Sequence, residues 1–390
     1  MTLAAPVTLV RSAADLLACR DALQGEPQVA FDLESNGLFV YSPRICILQL
    51  ALADRVFVID ALELDLGPLG ELLGPGGPLK IVHDVSFDAR MLSEADLPLG
   101  HVHDTSLAAR LLGRTATGLG SLLEKELGVL VDKSLQQHDW SRRPLEARHL
   151  TYLAGDVAHL FDLDARLFGE AASRGILPEI DEETRHRLST ASGAKEVPDS
   201  RPPYLRMKGI DRVPADDLPL LRALAALRER AAARLDVPPY KIVGNEVLFE
   251  VARRRPRSMD ELRRIRGATQ GRAGALAREI LLAVEEGLDD PAIPEEDRAR
   301  LSPPRPPPAV AKARRTREGR LTAWRALEAE KRAVDAQVVL PGHVLRKLAE
   351  QAPPTLEALG AIAGLGAFRV ERDGPTLLTL VGSESVEPAP

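Results

Sequence analysis

The sequence predicts an α/β domain, a mixed sheet flanked by helices, followed by two mainly α-helical domains. Three observations carry that reading. Strand-like and helix-like apolar patterns alternate over the first 190 residues, helical patterns dominate beyond about residue 216, and two proline-rich, charged breaks part the segments. At 390 residues the chain is too long for one ordinary core. The divisions expected are residues 1–193 for the α/β domain, 194–215 for a linker and 216–290 for the first helical domain. A Pro-rich basic linker over 291–320, a second, divergent helical domain over 321–382 and a tail at 383–390 complete the chain.

Within the α/β domain, Val7–Val10 reads as a strand and Ser12 as the cap of a helix over Ala13–Leu23. Three apolar runs follow, Val29–Leu33, Ile45–Leu52 and Arg55–Ile59. Only Ala53 and Asp54 part the last two, which suits a tight hairpin. A helix over Leu66–Leu73 stops at the breaker Gly74–Pro78. Strand Leu79–His83 then leads to helices at Phe87–Glu94, Asp104–Leu112 and Leu119–Leu127. Pro144–Ala172 carries Leu150, Leu153, Val157, Leu160 and Phe161 at helical spacing. Further on, Asp216–Leu288 reads as four or five helices. Pro291–Gly319, with Pro303-Pro304, Pro306-Pro307-Pro308 and the basic cluster Lys312–Arg317, reads as a semi-extended tether. The segment after Leu321 reads as helix, except that Phe368–Val381 reads as short strands. Ser383–Pro390 reads as disordered.

Composition excludes several classes. No run approaches the ~20 apolar residues a membrane helix needs, and no signal peptide is expected. The two cysteines, Cys19 and Cys46, form neither a disulfide framework nor a metal knuckle, so a reducing cytoplasm is the expected compartment. No Gly-x-x-x-x-Gly-Lys-[Ser/Thr] loop is present to cradle nucleotide phosphates. The net charge of −6 argues against a polyanion partner, but its distribution argues for one. Residues 201–350 hold 31 basic against 22 acidic side chains, a net of +9, which leaves −15 for the rest.

The chemistry concentrates in carboxylates. In a strand over Val29–Leu33, Phe31 and Leu33 share one face while Asp32 and Glu34 share the other. Two such charges ~5 Å apart repel by roughly 3 kcal/mol at an effective dielectric of ~20, so the pair calls for a cation or open solvent. Asp88 falls in the first turns of the helix after strand Lys80–His83, and Tyr152 and Asp156 stand four apart on one helix face. Each feature alone also fits a solvated polar face.

Together, in this order, they resemble the DEDD exonuclease superfamily in its tyrosine branch, because Tyr152-Leu-Ala-Gly-Asp156 has Thr at 151 where the histidine branch has His. The text Gly118–Gly128, Asp132-Lys133-Ser134, Asp139-Trp140 and Arg143-Pro144-Leu145 is similar to the ribonuclease D family, over about residues 7–190. Leu218–Leu288 resembles the HRDC helical domain shared by RecQ helicases and ribonuclease D, and Thr322–Leu380 resembles a second copy. The resemblance implies a ribonuclease-H-like fold and a 3′→5′ exoribonuclease that releases 5′-mononucleotides using two Mg²⁺ or Mn²⁺ ions. It further implies that Asp32 bridges both ions, that Glu34 and Asp156 complete the one holding the attacking water, that Asp88 serves the second, and that Tyr152 orients the water. Hard oxygen donors suit these ions better than zinc.

Gln49 and Lys133 are candidate contacts to the terminal nucleotide or phosphate, with an ordinary strand-edge role for the first and a surface role for the second as the favoured alternatives. His83 reads as a structural hydrogen-bonder, and Trp140 as either a base platform or a core residue. RNA, such as a tRNA precursor, is the expected partner, and a monomer the expected state. Deleting residues 204–390 is expected to weaken binding while leaving the chemistry intact. The alternatives are a DNA 3′→5′ exonuclease and a catalytically silent nucleic-acid-binding module.

Overall fold

The computed structural model describes residues 6–196, 200–301 and 306–382, so the tail expected at 383–390 and the pair Pro303-Pro304 lie outside the described residues. The chain forms two compact units. The first runs through Glu34, resumes over Ile45–Glu196 and includes the chain from Pro306 on; the second holds Ser35–Arg44 and the described part of residues 197–305.

The first unit is built on a six-stranded sheet ordered β1-β4-β3-β2-β5-β6. Its strands are β1 (Val7–Val10), β2 (Gln28–Ser35), β3 (Ile45–Ala51), β4 (Val56–Asp60), β5 (Leu79–Val82) and β6 (Val102–Asp104). Strands β3 and β4 form the expected hairpin, with Ala51 opposite Val56 and Leu52 N–H donating to Arg55 O across the Ala53-Asp54 turn. The other recorded pairs, β1 with β4, β2 with β5 and β5 with β6, are parallel, so the sheet is mixed.

Helix α1 (Ala13–Leu23) starts where expected, its Ser12 hydroxyl accepting from Asp15 N–H. The short α2 (Gly70–Leu73), α3 (Val85–Glu94), α4 (Thr105–Leu111), α5 (Leu119–Leu122), α6 (Ala147–Ala158), α7 (Leu160–Ser173) and α8 (Leu177–Glu196) complete the α/β part. One sheet face, with Val29, Phe31, Leu33, Leu48, Leu50, Phe57 and Ile59, packs against α1, α2 and α3. The other, with Ala30, Ile47, Ala51, Val56 and Val58, packs against α6 through Leu153, Ala154 and Val157.

The end of the chain corrects two expectations. Lys312–Arg317 is not a tether; it lies in a 25-residue helix that opens on Pro308 as its first residue. Only Leu321 and Ala329 are buried along that helix, so its apolar signal is too sparse to read. Phe368–Val381 is not strand but part of a helix over Ala367–Gly382. The residues that bury at helical spacing there are Arg369, Asp373, Leu377 and Val381, and two of the four are charged. Gly374-Pro375 mimics a turn, yet a Cβ on Gly374 would stand 2.6 Å from Leu356 Cδ2, so glycine permits a close helix crossing.

These helices dock on the α/β part through a buried ion network. Glu179 is 0 % exposed and takes Arg332 at 2.5 Å as well as Arg372. Glu182 takes the fully buried Arg369 at 2.8 Å and the Phe368 N–H at 2.7 Å. Val338 joins the apolar cluster formed by Leu107, Leu111, Leu163 and Ile176.

The second unit is helical: α9 (Leu218–Leu235), α10 (Asn245–Arg254), α11 (Met259–Arg263), α12 (Gly271–Ala275), α13 (Ala277–Asp289) and α14 (Glu295–Leu301). The last lies inside the stretch expected to be linker. Buried Tyr204 donates its hydroxyl to Asp297 at 2.8 Å, tying the segment before α9 to α14. Residues 35–44 pack on the corner after α9: Tyr41 N–H donates to Asp236 at 3.1 Å, Tyr240 hydroxyl to Leu38 O at 3.3 Å, and Lys241 Nζ lies 4.4 Å from the Phe39 ring centre.

Candidate active site

Strand alternation sets the first two carboxylates. With Phe31 and Leu33 in one core, Asp32 and Glu34 project from the face of Ala30. Strand β5 runs out at Asp84, whose left-handed φ of 65° turns the chain into α3 and brings Asp88 into its first turn. That turn is held by a residue the sequence reading passed over. Asp104, 0 % exposed, accepts from Asp84 N–H at 3.0 Å and Val85 N–H at 3.3 Å, caps α4 through Ser106 and Leu107 N–H, and pairs with Arg187 at 3.2 Å. One buried carboxylate thus fixes the starts of two helices. The signal available in the sequence was its place as Asp before a helical run.

Tyr152 and Asp156 come from α6, one turn apart. The other four expected residues, Glu34, Asp88, Tyr152 and Asp156, all lie within electrostatic reach of Asp32. Asp32 feels the environment chiefly through burial, which raises its carboxyl, and its charge in turn pushes up Glu34, Asp88, Asp156 and the Tyr152 hydroxyl. Glu34 is raised to about 9, by burial first and then by Asp32 and Asp156. Asp88 stands well above the usual carboxylate range through burial and the charges of Asp32, Asp104, Asp84 and Glu34. The Trp140 indole N–H, buried and without a partner of ordinary hydrogen-bond geometry, faces Glu34 and is the one influence lowering it.

None of the four carboxylates forms an ion pair with a basic side chain among the described residues, and buried Asp88 Oδ2 has no hydrogen-bond partner. Burying charge this way is costly unless a cation offsets it. The donor set, carboxylate oxygens without thiol or imidazole, fits a hard divalent cation. The side chains do not close into a ligand shell: among the described residues, no group of three or more His, Cys, Asp or Glu stands at metal-holding spacing.

The remaining candidates separate. Gln49 is 0 % exposed, shares the sheet face of Asp32, and leaves both amide atoms without partners. Lys133 is exposed and crosses Gly120, where an added Cβ would stand 2.7 Å from its Cε. Trp140 is core, 1 % exposed and 5.7 Å from the Tyr152 ring. Its loop is anchored by Arg143, which makes a double contact with Asp60 at 2.5 Å and donates to Trp140 O at 2.7 Å. His83 is structural, its Nδ1 2.9 Å from the Thr105 hydroxyl.

Comparison with known proteins places the domains. A 3′-5′ exonuclease family model matches residues 7–170, and an HRDC domain model matches residues 217–284 and 316–381. The chain is 33 % identical over 362 residues to ribonuclease D of Granulibacter bethesdensis, spanning 90 % of this chain and 88 % of that protein. It is 31 % identical over 384 residues to ribonuclease D of Acidiphilium cryptum, spanning 96 % and 93 %. The crystal structure of Escherichia coli RNase D, described as an exoribonuclease involved in structured RNA processing, matches with a TM-score of 0.68 at 24 % identity, over 96 % of this chain and 98 % of that one, a likeness of fold. No helix among the described residues is long and apolar enough to cross a membrane. With an α/β 3′-5′ exonuclease domain followed by HRDC domains, and a long match to proteins of one kind, the chain belongs to the ribonuclease D family and acts on nucleic acids as a 3′-5′ exonuclease.

Proposed function

We propose that this protein is a metal-dependent exoribonuclease that removes 5′-mononucleotides from RNA 3′ ends, in the maturation of tRNA or other structured RNA. The observation that carries the reading is the convergence of Asp32, Glu34, Asp88 and Asp156, all four raised first by burial and the last three further by the Asp32 charge, with no basic side chain paired to them, beside the Tyr152 hydroxyl. Two divalent cations held by these carboxylates would supply an activated water and neutralise the phosphate and leaving oxygen. Tyr152 is held protonated, because burial first and then the charges of Asp156, Glu34, Asp32 and Asp132 raise its hydroxyl. It therefore serves as a hydrogen-bonding guide to the attacking water rather than as a base. Asp104 holds the turn that leads into the helix of Asp88.

RNA grip falls to cationic side chains. Between Arg253 and Arg278 the chain has nine arginines against two acids. Arg257, Arg264, Arg266, Arg272 and Arg278 are exposed with no ion-pair partner among the described residues. Such a surface suits phosphates and reads no sequence. Lys133 is the candidate cation for the terminal phosphate.

The reading is tested with 5′-labelled single-stranded RNA and its DNA counterpart in Mg²⁺ or Mn²⁺. A ladder shrinking from the 3′ end, faster on RNA, is expected. Faster loss of DNA would move the protein to repair or proofreading, and no metal-dependent activity would leave a binding module.

A pH signature follows from the raised carboxyls. Glu34 binds its proton more tightly folded, up to about 9, than its ordinary value of 4.5. The folded metal-free protein therefore holds more protons than the unfolded chain across that window, and its stability falls as pH rises through it. The melting temperature in chelator is expected to drop between pH 6 and pH 9, and saturating Mn²⁺ to abolish the drop by binding the ionised form. A chelated protein that melts higher at pH 9 would contradict the buried cluster.

A further inference from the structure

We propose that His149 is a positioning residue of the reaction: as a neutral imidazole it sets the first turns of α6 and, through them, where the Tyr152 hydroxyl stands. This rests on the water-guiding role given to Tyr152 above. Of the eight histidines, His149 alone is buried, at 4 % exposed. Its Nδ1 accepts from Glu146 N–H at 3.0 Å. A backbone amide only donates, so Nδ1 carries no proton and the proton of the neutral ring sits on Nε2. That Nε2 is buried and has no hydrogen-bond partner. Burying one ring nitrogen unpaired costs free energy, which the contact at the other must offset.

The contact sits where α6 begins. Glu146 is the cap residue and His149 the third residue of the helix, so the ring reaches back as a glutamine does in a capping box. His149, Tyr152 and Asp156 follow at intervals of three and four and lie along one side of the helix. His149 also reaches Tyr152 through a train of rings. Between ring centres, His138 lies 4.6 Å from His149, Trp140 lies 4.8 Å from His138, and Tyr152 lies 5.7 Å from Trp140. The loop that carries Trp140 is pinned at its other end, where Arg143 grips Asp60 of β4.

Tyr152 is thus tied to His149 twice, by one turn of backbone and by three successive ring contacts. The tie matters because a group that orients an attacking water tolerates little slip. A misplacement on the order of 1 Å costs an aligned reaction about 100-fold, and a smaller one costs proportionately less. Asp32 and Glu34 come from β2 and Asp88 from α3, while Asp156 stands two turns deeper in α6. Loss of the His149 contact therefore leaves the carboxylates in place and moves the hydroxyl. The consequence is a slower chemical step, with RNA binding and metal affinity unchanged.

The test measures kcat and KM on single-stranded RNA in saturating Mn²⁺, below the melting temperature of every variant. The variants are His149→Leu, His149→Gln, Tyr152→Phe and the double variant His149→Leu/Tyr152→Phe. Leucine fills the space without an acceptor, and glutamine restores one. His149→Leu is expected to lower kcat about 3- to 30-fold, the range that loss of a helix cap spans, with KM within about twofold. The rise in melting temperature that Mn²⁺ produces is expected to stay as in wild type. His149→Gln is expected to return kcat to the wild-type range. In the Tyr152→Phe background His149→Leu is expected to cost nothing more, because the hydroxyl it positions is gone. His149→Met, unbranched like glutamine but without its carbonyl, takes the place of His149→Leu if the latter does not fold. A wild-type kcat in His149→Leu, a glutamine variant no faster than the leucine one, or losses that multiply in the double variant would overturn the positioning role. An active wild type would then leave the exonuclease reading standing. Tyr152→Phe as fast as wild type would overturn the water-guiding role and this proposal with it, and a wild type inactive on RNA would overturn the exoribonuclease reading as well.

Discussion

Asp32→Asn is expected to slow RNA degradation at saturating metal by about 10³-fold or more while raising the melting temperature of the metal-free protein. Both effects have one origin. Asp32 is the charge felt by every other member of the site, appearing among the causes that raise Glu34, Asp88, Asp156 and Tyr152. Asparagine fills the same space without the charge. In the metal-free protein that relieves repulsion, and the relief grows with pH as the neighbouring carboxyls ionise. In the proposed metal-dependent reaction it would remove a hard anionic ligand, and weakening the neutralisation of the phosphate by about 4 kcal/mol would account for the rate. Thermal melts in chelator and single-turnover degradation of labelled RNA would read the two. A variant within tenfold of wild-type rate, or one that melts lower at pH 8, would sink the assignment of Asp32 to the centre of the site.

Arg369→Ala is expected to destabilise the first unit by about 3–5 kcal/mol, because it leaves Glu182, 3 % exposed, as an uncompensated buried charge. For a unit of this size that lowers the melting temperature by about 10 °C. The double variant Arg369→Ala/Glu182→Gln should recover much of the loss, since the charge left behind is then gone. The site is tightly shaped as well: Gly366 has φ of 78°, and a Cβ there would stand 2.0 Å from the Glu182 carboxyl. A loss below about 1 kcal/mol for Arg369→Ala, measured by urea denaturation, would show the contact to be marginal. This network also revises the expectation that residues 204–390 can be removed without touching the chemistry. Helices after residue 306 share the unit, and the buried cluster around Val338, with the catalytic domain, so their deletion is expected to lower the stability of that domain.

What the sequence determined by itself was the part written in local periodicity. The alternation around Asp32 and Glu34, the two-residue spacer of the β3–β4 hairpin, the cap at Ser12 and the one-turn spacing of Tyr152 and Asp156 each follow from backbone geometry over a few residues, and each stands in the structure as read. The HRDC-like text around residues 218–288 was legible for the same reason. Tertiary structure alone decided the rest. Helix α8 and the helix over Ala367–Gly382 bury Glu179, Glu182 and Arg369 against one another. Their inward faces therefore carry charge, and a hydrophobic pattern points the wrong way. Gln49, a candidate substrate contact on its strand, is fully buried with both amide atoms unpartnered, an environment that no strand pattern reveals. Asp104 organises the site through two backbone N–H groups some twenty residues upstream, a contact no local pattern encodes. A short stretch of chain fixes which way its side chains point; only the packing of distant elements fixes what they point at, and whether a charge ends in water or against its opposite.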